Sequence, residues 1–182
     1  MNLVDELKNV VKGEVISDGE SLKAYSRDAS LFEITPAVVV APKDSNDIRN
    51  LVRFVNGRKN EKLSLTARSG ATDMTGGPLS ESIVLDFTKH FTHIASVGNS
   101  EATVEPGVFY RDFERETLKH GLLLPSYPAS REICTVGGMV ANNAGGEKSL
   151  TYGKTEHYVK RLKVVLADGN EYDIGPLNRG QL

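Results

Sequence analysis

Two stretches of this chain carry almost no side-chain bulk, and they constrain its fold more than any other feature. The first runs Arg68-Ser69-Gly70-Ala71-Thr72-Asp73-Met74-Thr75-Gly76-Gly77. The second enters from Leu124-Pro125-Ser126-Tyr127-Pro128-Ala129-Ser130-Arg131-Glu132-Ile133-Cys134-Thr135-Val136-Gly137-Gly138. It continues through Met139-Val140-Ala141-Asn142-Asn143-Ala144-Gly145-Gly146. Of the 17 glycines, Gly70, Gly76, Gly77, Gly137, Gly138, Gly145 and Gly146 fall there. Clustered glycine marks backbone that approaches something closely or adopts positive φ.

Hydrophobic patterning sets these stretches in a frame. Met1 to Val11 reads as an amphipathic helix, since Asp5, Glu6 and Lys8 interrupt its apolar residues and exclude a secretion signal. Glu14 to Ser17 is a short strand, Asp18-Gly19 a turn, and Ser21 to Ser26 a second short helix. Ala37-Val38-Val39-Val40-Ala41 is an unbroken apolar run of strand length, suited to burial on both faces. Asp44 or Ser45 caps a helix with Ile48, Leu51, Val52 and Val55 on one face, ending at Gly57 or Asn60. Leu63 to Ala67 is the next strand, so this order is a parallel βαβ unit. Ile83 to Asp86 is a strand, Ile94–Val97 and Ala102–Val104 pair across Gly98-Asn99, and Val108 to His120 is a helix. Val136 to Ala144 is a short helix of small residues, and Leu162 to Ala167 with Glu171 to Ile174 makes a hairpin across Asp168-Gly169.

Composition excludes several classes. A length of 182 residues suffices for one domain with a core and two lobes. Net charge of −2 leaves no footprint for nucleic acid. No apolar run reaches the roughly 20 residues of a membrane span. A single cysteine, Cys134, excludes an internal disulfide and a thiolate metal site, so the expectation is a cytoplasmic, metal-free protein.

The first loop follows a strand and has neither P-loop nor Gly-x-Gly-x-x-Gly order. Pro78 and a strand come after it, so no helix dipole assists. Its small residues leave successive N–H groups free to form an anion-binding nest, with Ser69 and Thr72 hydroxyls adding donors. A wide connecting loop with turn glycines is the competing reading. In the second stretch Thr135 is a cap, and the bare helix behind it either leaves space for something flat and large or packs closely against a sheet.

Taken together and in order, these motifs resemble the FAD-binding domain of the vanillyl-alcohol oxidase and para-cresol methylhydroxylase flavoproteins, nearest the D-lactate and glycolate dehydrogenase branch. Tyr152-Gly153, Val164-Val165-Leu166-Ala167-Asp168-Gly169 and Ala37–Pro42 match that family's pattern too, so the resemblance covers about Thr35 to Asp173. It implies an α+β, two-lobed domain at 35–182, behind a helical lead-in at 1–34. A small parallel βαβ lobe would join a larger mixed or antiparallel sheet lobe flanked by helices. It implies FAD contacts at Ala67, Arg68, Ser69, Gly70, Ala71, Thr72 and Asp73, at Pro125, Ala129, Ser130, Thr135 and Gly138, and at Asn142, Asn143, Ala144 and Gly145.

Three departures stand out. Ser69 and Ala71 replace the usual glycines. No histidine lies between Arg68 and Gly77, and Cys134 sits one residue from the place where some members attach flavin, so noncovalent FAD is expected. The later Gly-Thr-Leu-Gly segment and the cap domain that supplies substrate contacts are missing, and the polar end at Asn178 to Leu182 looks like a cut. The expected whole is an FAD-dependent oxidoreductase acting on a hydroxyl-bearing small molecule such as a 2-hydroxy acid, inactive as this stretch alone. A UDP-N-acetylenolpyruvoylglucosamine-reductase-like flavoenzyme and a non-catalytic nucleotide-binding module are the alternatives. Arg68 is a candidate phosphate partner. Arg131, Lys148, Arg161 and the four histidines read as solvated or structural.

Overall fold

The computed structural model describes residues 2–177, so the polar end at 178–182 lies outside the described residues. Asn2 opens α1 (Leu3–Val10) by accepting the Asp5 N–H on its side chain at 2.9 Å, and Leu7 is wholly buried. β1 (Glu14–Ile16) follows, then α2 (Gly19–Ala24). That helix starts earlier than its sequence pattern suggested because Asp18 caps it, taking the Ser21 N–H. β2 (Val38–Ala41) is buried at every position. Asp44 caps α3 (Ser45–Asn56) through the N–H groups of Asn46 and Asp47. β3 (Leu65–Arg68) and β4 (Ile83–Asp86) complete the first sheet.

The sheet order is β1-β2-β4-β3, with β2, β4 and β3 parallel and β1 antiparallel on the edge. The βαβ unit therefore spans a gap that β4 fills, and the strand after the first loop ends between the other two. Strand alternation sorts the side chains. Val38, Val40, Ile83 and Leu85 pack with Leu7 and Leu51 under α1 and α3, while Val39 and Val84 turn to Leu22 on the other face. Each such residue contributes roughly 1.5–3 kcal/mol by leaving water. The lead-in is thus woven into the first lobe through α1, β1 and α2.

The second lobe starts with the hairpin β5 (Ile94–Val97) and β6 (Ala102–Val104). α4 (Tyr110–Leu118), α5 (Val136–Ala141) and α6 (Ser149–Tyr152) follow, then the hairpin β7 (Leu162–Val165) and β8 (Glu171–Ile174). Its core gathers Val108, Tyr110, Phe113, Tyr127, Cys134, Val136, Met139 and Ala144. Among the described residues, its antiparallel pairing takes the form of two separate two-stranded hairpins, and the largest sheet is the four-stranded one of the first lobe. Between the hairpins, residues 105–161 form helices, turns and caps, with antiparallel pairing only at the isolated bridge between Phe109 and Thr135. The last hairpin returns to the first lobe, where Arg53 Nη2 donates to Asn170 Oδ1 at 3.2 Å and Asn56 Nδ2 to the Ala167 carbonyl at 2.5 Å.

Candidate functional site

The first loop leaves β3 under firm control from the lead-in. Arg68 is buried, and its guanidinium donates to the carbonyls of Tyr25 (3.3 Å) and Arg27 (2.7 Å). Burial pulls its pKa down while Asp28 and Asp86 support the charge, so it stays a cation. The Tyr25 hydroxyl donates to Asp86 Oδ2 at 2.7 Å, and burial together with that carboxylate pushes the phenol well above its ordinary range. Ala29 N–H donates to the Asp73 carbonyl at 3.0 Å. The Asp73 carboxylate turns onto its own loop and takes the Thr75 N–H and hydroxyl, both at 2.7 Å. The Arg68 side chain therefore faces the lead-in, and its backbone opens the loop.

Between these anchors the loop is open. Among the described residues, none of the backbone N–H groups from Ser69 to Asp73 donates to a protein acceptor. Ala71 holds φ at 52°, the left-handed conformation that its glycine-like place in the loop demands. Ser69 adopts no positive φ and fits without strain. Consecutive unpartnered N–H groups around a left-handed residue form an anion-binding concavity.

The second stretch is fastened at both ends of α5. Thr135 Oγ1 accepts the Gly138 N–H at 3.1 Å as the N-cap. At the other end Asn143 takes φ of 46°, with Asn143 N–H bonded to Val140 and Ala144 N–H to Met139. This is a Schellman stop, which ends the helix at Ala141 instead of the expected Ala144. Thr155 is buried and donates from both its N–H (3.0 Å) and its Oγ1 (2.8 Å) to the Ala144 carbonyl. Glu156 N–H donates to Asn143 Oδ1 at 3.0 Å. A side chain on Gly146 would overlap the Tyr127 carbonyl, and one on Gly137 would overlap Pro106. Close packing, not open space, accounts for those two glycines. Arg131, expected to be solvated, lies over the Tyr127 ring and reaches Glu114 at 2.7 Å. Cys134 is a buried core residue, and burial pushes its thiol up.

The two stretches meet. Ser69 Oγ and Thr135 Oγ1 are 2.6 Å apart. A carbon on Gly70 would stand 2.5 Å from the Ile133 carbonyl oxygen, and one on Gly138 would stand 3.4 Å from Ser69 Oγ. The junction thus unites Ser69, Gly70, Thr135 and Gly138. Ala71, Thr72 and Asp73 continue the loop, and Ala67 precedes it on β3. The turn holding Ala129 and Ser130 joins the junction from the other side, where the Ser130 carbonyl takes the N–H groups of Ile133 and Cys134. Pro125 is buried behind it. Asn142, Asn143, Ala144 and Gly145 lie at the far end of α5, about 9 Å along a helix of six residues. Sequence reasoning passed over Glu114, Ser126 and Thr155, which hold the second stretch in place. Glu114 alone carried a signal, sharing helical spacing with Tyr110 and Thr117.

Comparison with known proteins agrees with this layout. A family profile described as an FAD binding domain matches residues 36–175. The D-lactate dehydrogenase of Archaeoglobus fulgidus is 34% identical over 96% of this chain and 39% of its own length. Glycolate oxidase subunit GlcD of Bacillus subtilis is 35% identical over 80% of this chain and 31% of its own. The chain therefore spans about a third of the length of these curated relatives. The crystal structure of 6-hydroxy-D-nicotine oxidase from Arthrobacter nicotinovorans superposes with a TM-score of 0.77, covering 91% of this chain and 36% of that one, at 22% identity, which speaks to the fold alone.

Proposed function

Since the chain belongs to the FAD binding domain family, we propose that it is the cofactor-binding part of an oxidoreductase that oxidises a hydroxyl-bearing substrate, a 2-hydroxy acid in the first instance. The observation carrying this reading is the 2.6 Å contact between Ser69 and Thr135, which brings the two glycine-rich stretches together. FAD, when bound, supplies a hydride acceptor for the substrate carbon. The rest is the work of this chain's residues. The free N–H groups of Ser69 to Asp73 suit the pyrophosphate, whose negative charge meets donors already arranged for it. Ala67 and Arg68 contribute through backbone. Gly138, with only hydroxyls beside it, leaves room against the junction. Pro125, Ala129, Ser130, Thr135, Asn142, Asn143, Ala144 and Gly145 border the remainder of the cofactor.

Noncovalent attachment is part of the proposal. No histidine lies in the first loop, and the Cys134 thiol is buried and held protonated. The names of the relatives, D-lactate dehydrogenase and glycolate oxidase subunit, favour a small 2-hydroxy acid. Most substrate contacts, and the base that takes the hydroxyl proton, come from polypeptide beyond these residues, since the chain spans only about a third of those relatives. The cofactor-binding unit proper is taken as 35–182, with 1–34 as its structural support. No helix among the described residues is long and apolar enough to cross a membrane, and the cytoplasm is the proposed compartment.

The test is direct. The full-length protein is expected to bind FAD at one per chain, with a visible flavin spectrum that bleaches anaerobically on adding D-lactate, glycolate or D-2-hydroxyglutarate. Acid denaturation should release all flavin to the supernatant. Failure to take up added FAD would sink the cofactor assignment. Retention of flavin on the denatured chain would overturn noncovalent binding alone.

A further inference from the structure

Thr135 and Ser69 share one hydrogen bond between them, and the burial of the two residues decides which hydroxyl gives the proton. Thr135 is 1% exposed, whereas Ser69 is half-buried on the open loop. Thr135 Oγ1 already accepts the Gly138 N–H, and an N–H cannot take a proton in return. Ser69 Oγ, at 2.6 Å, is the one acceptor among the described residues that the Thr135 proton reaches. A buried hydroxyl left without an acceptor is costly. We infer that Thr135 donates to Ser69, that the Ser69 proton is thereby held free for an anionic oxygen at the junction, and that Thr135 is a positioning residue which orients this donor.

This rests on the FAD reading and deepens it. Gly138 N–H, Thr135 and Ser69 form a one-way series of donors: backbone to Thr135, Thr135 to Ser69, Ser69 to the ligand. Serine in place of the family's glycine thus adds a directed side-chain donor beside the free N–H groups of the loop. The ligand chemistry it fits is a phosphoryl oxygen, and the pyrophosphate of FAD or ADP provides one.

The test titrates FAD, ADP and riboflavin onto the flavin-stripped full-length protein and its variants. S69A should weaken FAD and ADP about ten-fold or more, the scale of one hydrogen bond to a charged group, and leave riboflavin, which has no phosphate, unchanged. T135V should weaken FAD by a similar factor, and S69A/T135V should be no weaker than either single variant. T135S, which keeps the hydroxyl, should restore wild-type affinity. Bound-FAD ³¹P resonances should shift in S69A and T135V alike. Equal FAD affinity in S69A and wild type would overturn the inference while leaving the cofactor assignment standing. So would equal losses for riboflavin and FAD, the mark of a merely structural lesion. Additive losses in the double variant would show that Thr135 does not act through Ser69. S69A removes the acceptor of the Thr135 proton but leaves the Thr135–Gly138 cap bond in place, so, read against its riboflavin control, it decides the matter even if T135V fails to fold. If the wild type binds none of the three ligands, the FAD reading fails first and this inference falls with it.

Discussion

The first loop and the second stretch look alike on paper but differ in how far the protein itself takes up their backbone. In the second, small residues exist because protein fills the space: Gly137 lies on Pro106, Gly146 on the Tyr127–Pro128 backbone, and Ala144 is in the core. In the first, Gly70 also lies on protein, against the Ile133 carbonyl, but the N–H groups of Ser69 to Asp73 meet no acceptor among the described residues. The second stretch is held from within its own lobe by Thr155, Glu156 and the Glu114–Arg131 pair. The first is held from outside, by a lead-in more than 40 residues earlier in sequence. Glycine content alone therefore says that backbone comes close to something, not whether that something is protein or ligand.

The sharpest way to separate packed from open glycine is a methyl group on one of each, both in the second stretch. G146A forces a carbon into the Tyr127 carbonyl, where backbone faces backbone and neither yields. A loss of about 3 kcal/mol is expected, a fall in Tm of about 10 °C for a chain of this size. G138A meets only the hydroxyls of Thr135 and Ser69, at 3.2 and 3.4 Å, and gains helix propensity. Its expected change in stability is below about 1 kcal/mol. Equal Tm values for the two variants, measured by calorimetry, would mean that the distinction between packed and open glycines is wrong.

A step smaller is the clamp on the first loop. R68M removes the donors to the Tyr25 and Arg27 carbonyls and the cation beside Asp28 and Asp86. The expected cost is about 2 kcal/mol, with faster amide exchange confined to residues 25–30 and 69–75. Exchange that rises equally in the second stretch would show that the two regions share one support.

These long-range ties mark the limit of what the sequence made legible. The apolar run at Val38–Ala41, the capped helix with Leu51 inward and the turn at Asp168-Gly169 were readable because period and turn chemistry are local. The meeting of the two glycine-rich stretches was expected only because the ordered motifs resemble a known family. Strand order was not readable: β4 enters between β2 and β3, and no residue near Ile83 signals its neighbours. The Arg68 clamp was not readable for the same reason. An arginine before a small-residue loop suggests phosphate, and nothing local reveals that carbonyls 41 and 43 residues upstream occupy it. Thr155 and Ser126 carried no signal, because a buried threonine and serine acquire meaning only when folding brings the Ala144 carbonyl to them.

Thr155 tests the inward-held side more gently. T155V keeps the backbone N–H bond to Ala144 and loses the hydroxyl bonds to Ala144 and Ser126. About 1–1.5 kcal/mol should go, a fall of roughly 3–5 °C in Tm. A wild-type Tm would mean that the hydroxyl contributes nothing beyond the N–H.

The smallest expected effect has the opposite sign. Ala71 occupies φ of 52°, where an L side chain crowds the following carbonyl and glycine does not. That crowding costs roughly 1 kcal/mol, and A71G should recover it. Part of the gain is offset, because glycine is freer than alanine in the unfolded chain. The balance is a stabilisation of about 0.5 kcal/mol, 1–2 °C in Tm. No comparable gain is expected from a glycine at Ser69, whose backbone is unstrained. The pair therefore separates two residues that stand in the same glycine-poor departure: one bears a conformational cost and the other carries a hydroxyl. A lower Tm for A71G would show that the Ala71 methyl makes contacts worth more than its strain, and that the loop is built partly by packing, as the second stretch is.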